Sequence, residues 1–382
     1  MDELLPLLDA WRIMRLGTRE VVDGLVAPRH QGPSPELRKV LAGWRGGWYW
    51  AEPGRQRIIL IHSTAEAKPP RWSLHAFLFA VTIVCSLGAG AALAGVWYPF
   101  NAPGFAGVFT AAARFFTGVG LGDWRLLGYG WTFAVPLLGI LLVHESGHYV
   151  AARRYDIDAS PPFFLPIPPT LSPIGSLGAF IRLRSPVLDR RQLLDVGAAG
   201  PLAGFVVAVA VLVWGYRLSE VGVAPPLGVI GHSAIAGWVE FAGQPIGLGE
   251  SLLTHWVRLA VLPGTGVVHL SLPAFAGWVG AFITGLNLLP LSQLDGGHVL
   301  YGLLGRHQRV VAGATVLLLL LLAQYSLSWL VWVAMTFLIG GGRWTHPSVV
   351  VPEREVPAGR RWVGLACVAV FLITFVPIPF GR

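Results

Sequence analysis

His144, Glu145 and His148 form the pattern H-E-x-x-H within LLGILLVHESGHYVAARR. On a helix, positions i and i+4 share a face, so both imidazoles can reach one Zn²⁺ at about 2.0–2.1 Å each. Glu145 then stands as a general base toward a water at the ion, and Gly147 leaves room beside it. A lone histidine at the end of an apolar helix is ordinarily a satisfied polar residue. Three ionisable residues within five positions are different, because their cost at membrane depth marks function.

A catalytic zinc site has three protein ligands and one open position. The third ligand must come from elsewhere. The stretch GLNLLPLSQLDGGHVLYGLLG (285–305) is an apolar helical pattern broken by Pro290 and by Gly296-Gly297. Membranes tolerate such freed backbone only inside protein or beside a water-filled cavity. Asp295 sits at the break and is the sole carboxylate of that stretch. It can cap the helix that starts near Gly297. Beside an incomplete H-E-x-x-H it is the preferred ligand, with His298 as the rival.

The elements that carry these residues belong to a membrane. Of 382 residues, 54% are hydrophobic and 13% charged, against about 25% charged in a soluble domain. The fold class is an all-α polytopic membrane protein. A helix needs about 20 apolar residues to span, and seven windows qualify or nearly so: 75–98, 127–152, 194–217, 268–290, 309–324, 326–341 and 362–379. Of the 16 tryptophans, many sit near the ends of such runs, as interface anchors do. The net charge of +8 reflects Lys and Arg flanking the spans, not nucleic acid. With residue 1 in the cytoplasm, Arg153, Arg154, Arg190 and Arg191 fall on the cytoplasmic side, as do the ends of the second and fourth spans. Cys85 and Cys367 lie far apart and read as buried hydrophobes.

Four regions follow: a soluble N-terminal part (1–72), a first span with an external loop (73–126), a core (127–305) and C-terminal spans (306–382). The first opens on an amphipathic helical pattern, and GWYWAEPGRQRIILIHS (47–63) reads as two strands around a Pro-Gly turn. The start lacks a secretory signal pattern. Residues 225–263 hold short apolar pieces resembling interfacial helices. Residues 161–186 are too proline-rich for a plain span, and GAFIRLR (178–184) alternates like a strand. Asp195 caps or orients a neighbour, and His232, His255 and His269 are incidental.

Together these stretches resemble the site-2 protease family of intramembrane zinc metalloproteases, in wording similar to its bacterial and chloroplast branch. HESGH matches the family's zinc helix, and NLLPLSQLDGG its second signature, whose Asp supplies the third ligand. GSLGAFIRLRSPVLDRRQLLDVGAAGPLAGF (175–205) is similar to the intervening segment, with Gly200 and Gly204 spaced to pack the third span on the zinc helix. The resemblance implies peptide hydrolysis within or near transmembrane segments of membrane-anchored proteins, with one Zn²⁺ on His144, His148 and Asp295 and with Glu145 as catalytic base. Asn287 matches the family's amide and either binds substrate or bonds between helices. Pattern and resemblance together make 161–186 a membrane-associated hairpin whose edge, at Gly178, Ala179 and Phe180, pairs with unwound substrate. The expected location is a bacterial plasma membrane, with the site facing the cytoplasm. A metal transporter and an inactive scaffold are the alternatives. Glu145 disfavours the first, and the intact ligand set disfavours the second.

Overall fold

The computed structural model describes residues 3–380 apart from 17–18, 32–33, 45–46, 52–53, 64–68, 97–104, 121–123, 185–186, 223–234, 242, 263–265, 347–348, 353 and 355. The chain opens with β1 (Leu8–Leu16), β2 (Arg19–Val26), α1 (Pro35–Ala42), β3 (Gly47–Trp50) and β4 (Arg57–Ser63). The strands form an antiparallel sheet in the order β1-β2-β4-β3. The helical pattern expected at the start is corrected, because residues 8–16 are a strand. Ile13 and Met14 pair with Val22 and Val21, so Ile13 shares one face with Val22 and Met14 the other with Val21. That alternation suits a sheet. The Pro53 of the expected turn lies outside the described residues. Helix α1 starts at Ser34, whose Oγ accepts from Leu37 N, and it covers one sheet face through Leu37 and Leu41. The other face packs Val21 and Ile59 on Leu188 and Val351.

Next come α2 (Trp72–Leu93), α3 (Phe105–Gly120), α4 (Arg125–Arg154), the antiparallel pair β5 (Phe163–Pro166) and β6 (Ser176–Phe180), and α5 (Arg190–Arg217). Then follow β7 (Glu220–Gly222), β8 (Ile235–Phe241), β9 (Gln244–Gly249), α6 (Leu252–Val261) and β10 (Val267–His269). The chain ends with α7 (Leu272–Asn287), α8 (Asp295–Leu304), α9 (Gln308–Leu322), α10 (Ser328–Ile339) and α11 (Ala358–Thr374). Four helical stretches are long and apolar enough to cross a membrane: Trp72–Leu93, Leu127–Arg154, Arg190–Arg217 and Asp295–Leu322. Helices α7 and α10 are shorter apolar helices.

The fold is mostly helical, not all-α. Within 225–263, read as interfacial helices, the described residues hold β8, β9 and one helix, α6; β8 and β9 join β7 and β10 from either side of that region in a four-stranded sheet, β7-β10-β8-β9. His232 lies outside the described residues. Helix α3 occupies part of the expected external loop.

Asp189 ties these parts together. It is fully buried and caps α5, with Oδ1 accepting from Gln192 N at 2.9 Å. Its Oδ2 accepts from Arg354 Nη1 at 2.6 Å, and the Arg354 guanidinium lies 4.1 Å from the centre of the Tyr49 ring on β3. One carboxylate thus joins the N-terminal sheet, Arg354 and the start of α5. Asp189→Ala removes a cap worth about 1 kcal/mol and leaves Arg354 without this partner. The expected result is a lower melting temperature in detergent and faster release of residues 1–72 under limited proteolysis. An unchanged melting curve and digestion rate would argue against this coupling.

Candidate metal centre and active site

Helix α4 runs 30 residues and presents His144 and His148 on one face, with ring centroids 4.9 Å apart. His144, Glu145 and His148 are all buried, at 3, 4 and 6% exposure. Three ionisable side chains so far from solvent need compensating partners.

Those partners come from α5, α7 and α8. His148 Nδ1 donates to the Val196 carbonyl at 2.7 Å. A carbonyl only accepts, so Nδ1 carries the hydrogen and Nε2 presents a lone pair. His144 Nε2 lies 3.3 Å from Asn287 Nδ2, an amide donor. Asp295 places Oδ2 3.2 Å from His144 Nε2 and Oδ1 3.2 Å from His148 Nε2. The two Nε2 atoms are themselves 3.2 Å apart. Neighbouring ligands of a tetrahedral zinc with bonds of 2.0–2.1 Å stand about 3.3 Å apart. The spacing fits that figure. The donor types fit too, because converging lone pairs repel one another unless a cation lies among them. Among the described residues, this is the one group of three such side chains whose ligand atoms lie close enough, within 4.8 Å, for one ion.

Local sequence explains the convergence. Helix α7 ends at Asn287, and residues 288–294 fold back before Asp295 opens α8. The return is tight: a Cβ on Gly296 would run into the Leu288 and Leu289 carbonyls. Arg190 locks the far end of α8, donating to the Gly302 and Leu303 carbonyls at 3.0 and 2.8 Å. Helix α5 approaches α4 at Gly147, where a Cβ would strike the Ala199 backbone. A Cβ on Gly200 would fall on the His148 ring, and one on Gly204 would press on His144.

The hairpin lies against α4. The Ile181 backbone, just past β6, lies beside the Glu145 carboxylate. Strand β6 holds Gly178, Ala179 and Phe180 but stops at Phe180, short of the expected 178–184. Beyond it the chain pairs back on 158–160 instead, with Ser160 N donating to Arg182 O and Arg184 N to Asp158 O. Gly178 has φ +104°, a conformation few other residues adopt, and its N–H donates to Ser176 Oγ at 2.9 Å. Leu177 and Phe180 are exposed.

Other expected residues stand apart. His298 is no member of the three-ligand group; its Nδ1 lies 2.8 Å from His346 Nε2. Asp195 is not the cap of α5; it accepts from the Tyr155 hydroxyl and pairs with Arg360 at 3.5 Å. His255 pairs with Glu250, and His269 stacks on Trp238. The Val196 carbonyl carries no signal in the sequence. His346, the partner of His298, carries none either.

The profile of peptidase family M50 matches residues 132–328, which contain every element of this centre. The chain belongs to peptidase family M50. It is 31% identical over 260 residues to "Probable zinc metalloprotease EGY2, chloroplastic" of Arabidopsis thaliana, covering 67% of this chain and 43% of that protein. A rice relative (Oryza sativa subsp. indica) of the same description is 30% identical over 260 residues, 67% of this chain and 44% of its own length. "Probable zinc metalloprotease EGY1, chloroplastic" of Arabidopsis thaliana is 32% identical over 193 residues, 49% of this chain and 32% of that protein. The chain thus spans less than half the length of these relatives. No solved structure matches it.

The α4–α5 crossing yields a direct test. Gly200→Val puts a branched side chain where the His148 ring lies. Metal analysis of the purified variant should find its zinc content reduced to a small fraction of the parent's, with helical circular dichroism retained. Full zinc content in a folded Gly200→Val protein would contradict the packing described.

Proposed function

We propose that this chain is a zinc metalloendopeptidase that hydrolyses peptide bonds within or near the transmembrane segments of membrane-anchored proteins. The observation that carries the reading is the convergence of His144, His148 and Asp295, with a further buried carboxylate, Glu145, beside the histidines. A transporter needs the ligands but has no use for a separate base. No observation favours a transporter or an inactive scaffold.

When bound, zinc polarises the scissile carbonyl and lowers the pKa of a water from 15.7 to about 7. His144, His148 and Asp295 are the ligands, and His148 is oriented by Val196. Glu145 takes the proton of the attacking water and delivers it to the leaving amide nitrogen. The Ile181 N–H steadies the Glu145 carboxylate. Asn287, at the edge of the ligand group, is placed to donate to substrate or to the developing oxyanion. Burial keeps bulk water away and strengthens each of these interactions.

Substrate enters as an extended segment. Strand β6 has β5 on one side and no other strand paired with it among the described residues. Its free edge at Gly178, Ala179 and Phe180 receives the unwound substrate by strand addition. The helices α2, α4, α5, α7, α9, α10 and α11 make seven crossings, α7 and α10 among them as short spans. Residue 1 and the zinc then lie toward the cytoplasm of a bacterial plasma membrane, and the β7–β10 sheet lies on the opposite side. The lipid bilayer is the remaining partner; no nucleic acid is involved.

Two substitutions test this reading on a panel of single-span substrates in liposomes. Glu145→Gln should keep its zinc and lose at least about 100-fold in kcat; undiminished cleavage would sink the mechanism. Ala179→Pro removes a backbone donor from β6 and should depress kcat/KM by an order of magnitude or more with zinc unchanged. If the proline variant cleaves like its parent, substrate does not use that edge.

A further inference from the structure

The hairpin that flanks Glu145 is held from behind by one face of α2. His75, Phe79, Thr82 and Ser86 recur every three or four residues and therefore share a face. Three of them touch the hairpin. Phe79 packs on Phe164, with ring centroids 4.6 Å apart, and the Ser86 hydroxyl donates to the Ile174 carbonyl at 3.2 Å. His75 lies in the first turn of α2. It is buried at 6% exposure, and its Nδ1 donates to the Pro162 carbonyl at 3.1 Å.

The His75 ring continues into a column. Its centroid is 4.1 Å from that of Phe163, the first residue of β5. The Phe163 ring stacks in turn on Phe180 at 5.4 Å, and the two residues are cross-strand partners. Phe180 ends β6, and the backbone of the next residue, Ile181, lies beside Glu145. An imidazole on α2 is thereby linked through two phenyl rings to the backbone beside the catalytic carboxylate. An ionisable residue buried in an apolar helix is costly unless it has work to do. Packing alone would have been served by another phenylalanine.

The geometry points to His75 as a positioning residue: through Pro162 and the Phe163–Phe180 pair it sets where the β6 edge lies relative to Glu145. This rests on the reading of β6 as the substrate edge. The anchor is the hydrogen bond: the Pro162 carbonyl accepts from His75, and Pro161 and Pro162, just before β5, have no N–H with which to tie this stretch down themselves. The rings transmit the placement to Phe180. A shift of about 1 Å at a catalytic edge can cost on the order of 100-fold in rate.

The test compares His75→Ala, His75→Asn and the parent as full-length protein in detergent. Asparagine places an amide donor near the Nδ1 position and so preserves the bond to Pro162. Amide hydrogen exchange of residues 176–181 is expected to speed up at least tenfold in His75→Ala and to return to within about threefold of the parent in His75→Asn. With the single-span substrate cut by the parent, His75→Ala should lower kcat by about 10- to 100-fold while KM stays within twofold and zinc content is unchanged. His75→Asn should recover most of that loss. Unchanged exchange at 176–181 in His75→Ala overturns the proposal. So does unchanged kcat, or a loss that tracks zinc content. Cleavage that survives in Glu145→Gln defeats the mechanism itself, and this proposal with it. If the parent cuts nothing in the panel, the substrate reading fails, and the exchange measurement alone still decides whether His75 holds the strand.

Discussion

Two helices can share a metal site only if their backbones come close enough for one to satisfy the other's ligands. Here that approach is made where Gly147 of α4 meets the Ala199–Gly200 backbone of α5. With any larger side chain the helices would separate, and His148 would lose the Val196 carbonyl. The 2.7 Å bond to that carbonyl fixes which nitrogen of His148 bears hydrogen. Without it, the lone pair aimed at Asp295 would not be assured. Small residues at helix crossings serve packing in many membrane proteins. Here they also determine the chemistry of a ligand.

The same helix carries constraint outward. Asp189 caps α5 seven residues before Val196 and pairs with Arg354, which faces Tyr49 of the N-terminal sheet. One residue further on, Arg190 holds the last carbonyls of α8, whose first residue is Asp295. The helix that orients one ligand thus also anchors the helix that supplies another. Placing both constraints on one element keeps the ligands aligned if the surrounding helices shift against lipid. A sequence far from the zinc, in residues 47–63, is coupled to it through a short series of named contacts.

Much of the centre was legible because its information is local. H-E-x-x-H specifies its own geometry on a helix, and a lone carboxylate at a broken apolar helix announces itself. The rest depended on pairings between distant residues. His75 reaches Pro162 across 87 positions, and a single histidine at the start of an apolar run looks incidental, although the cost argument applied to His144 applies equally to it. The β7–β10 sheet escaped notice because its strands are short and mixed in hydropathy, with Gly237, Gly247 and Gly249 breaking the alternation. Residues 8–16 carry a helical pattern because Ala, Trp, Arg, Ile and Met suit either structure; pairing with β2 makes them a strand. Strand β6 ends at Phe180, and beyond it 182–184 meet 158–160 only through an isolated bridge at Ala159 and Leu183, which no periodicity foretells.

A helix offered to such a site conceals its peptide bonds in its own hydrogen bonds. Unwinding one turn in hydrocarbon exposes several donors and acceptors, each costing several kcal/mol if left unpaired. A five-residue strand such as β6 can supply replacements only if its own edge does not move. A floppy hairpin would spend the interaction on ordering itself, since fixing each residue's backbone costs about 1–2 kcal/mol. This gives the stripe on α2 a physical purpose. Contacts at Pro162, Phe164 and Ile174 hold the hairpin on the first long helix, and under the proposed strand addition they would keep the edge ordered before substrate arrives. Under that proposal, unwinding would be opposed only by the substrate's own order, and the bond that opens would be presented beside Glu145.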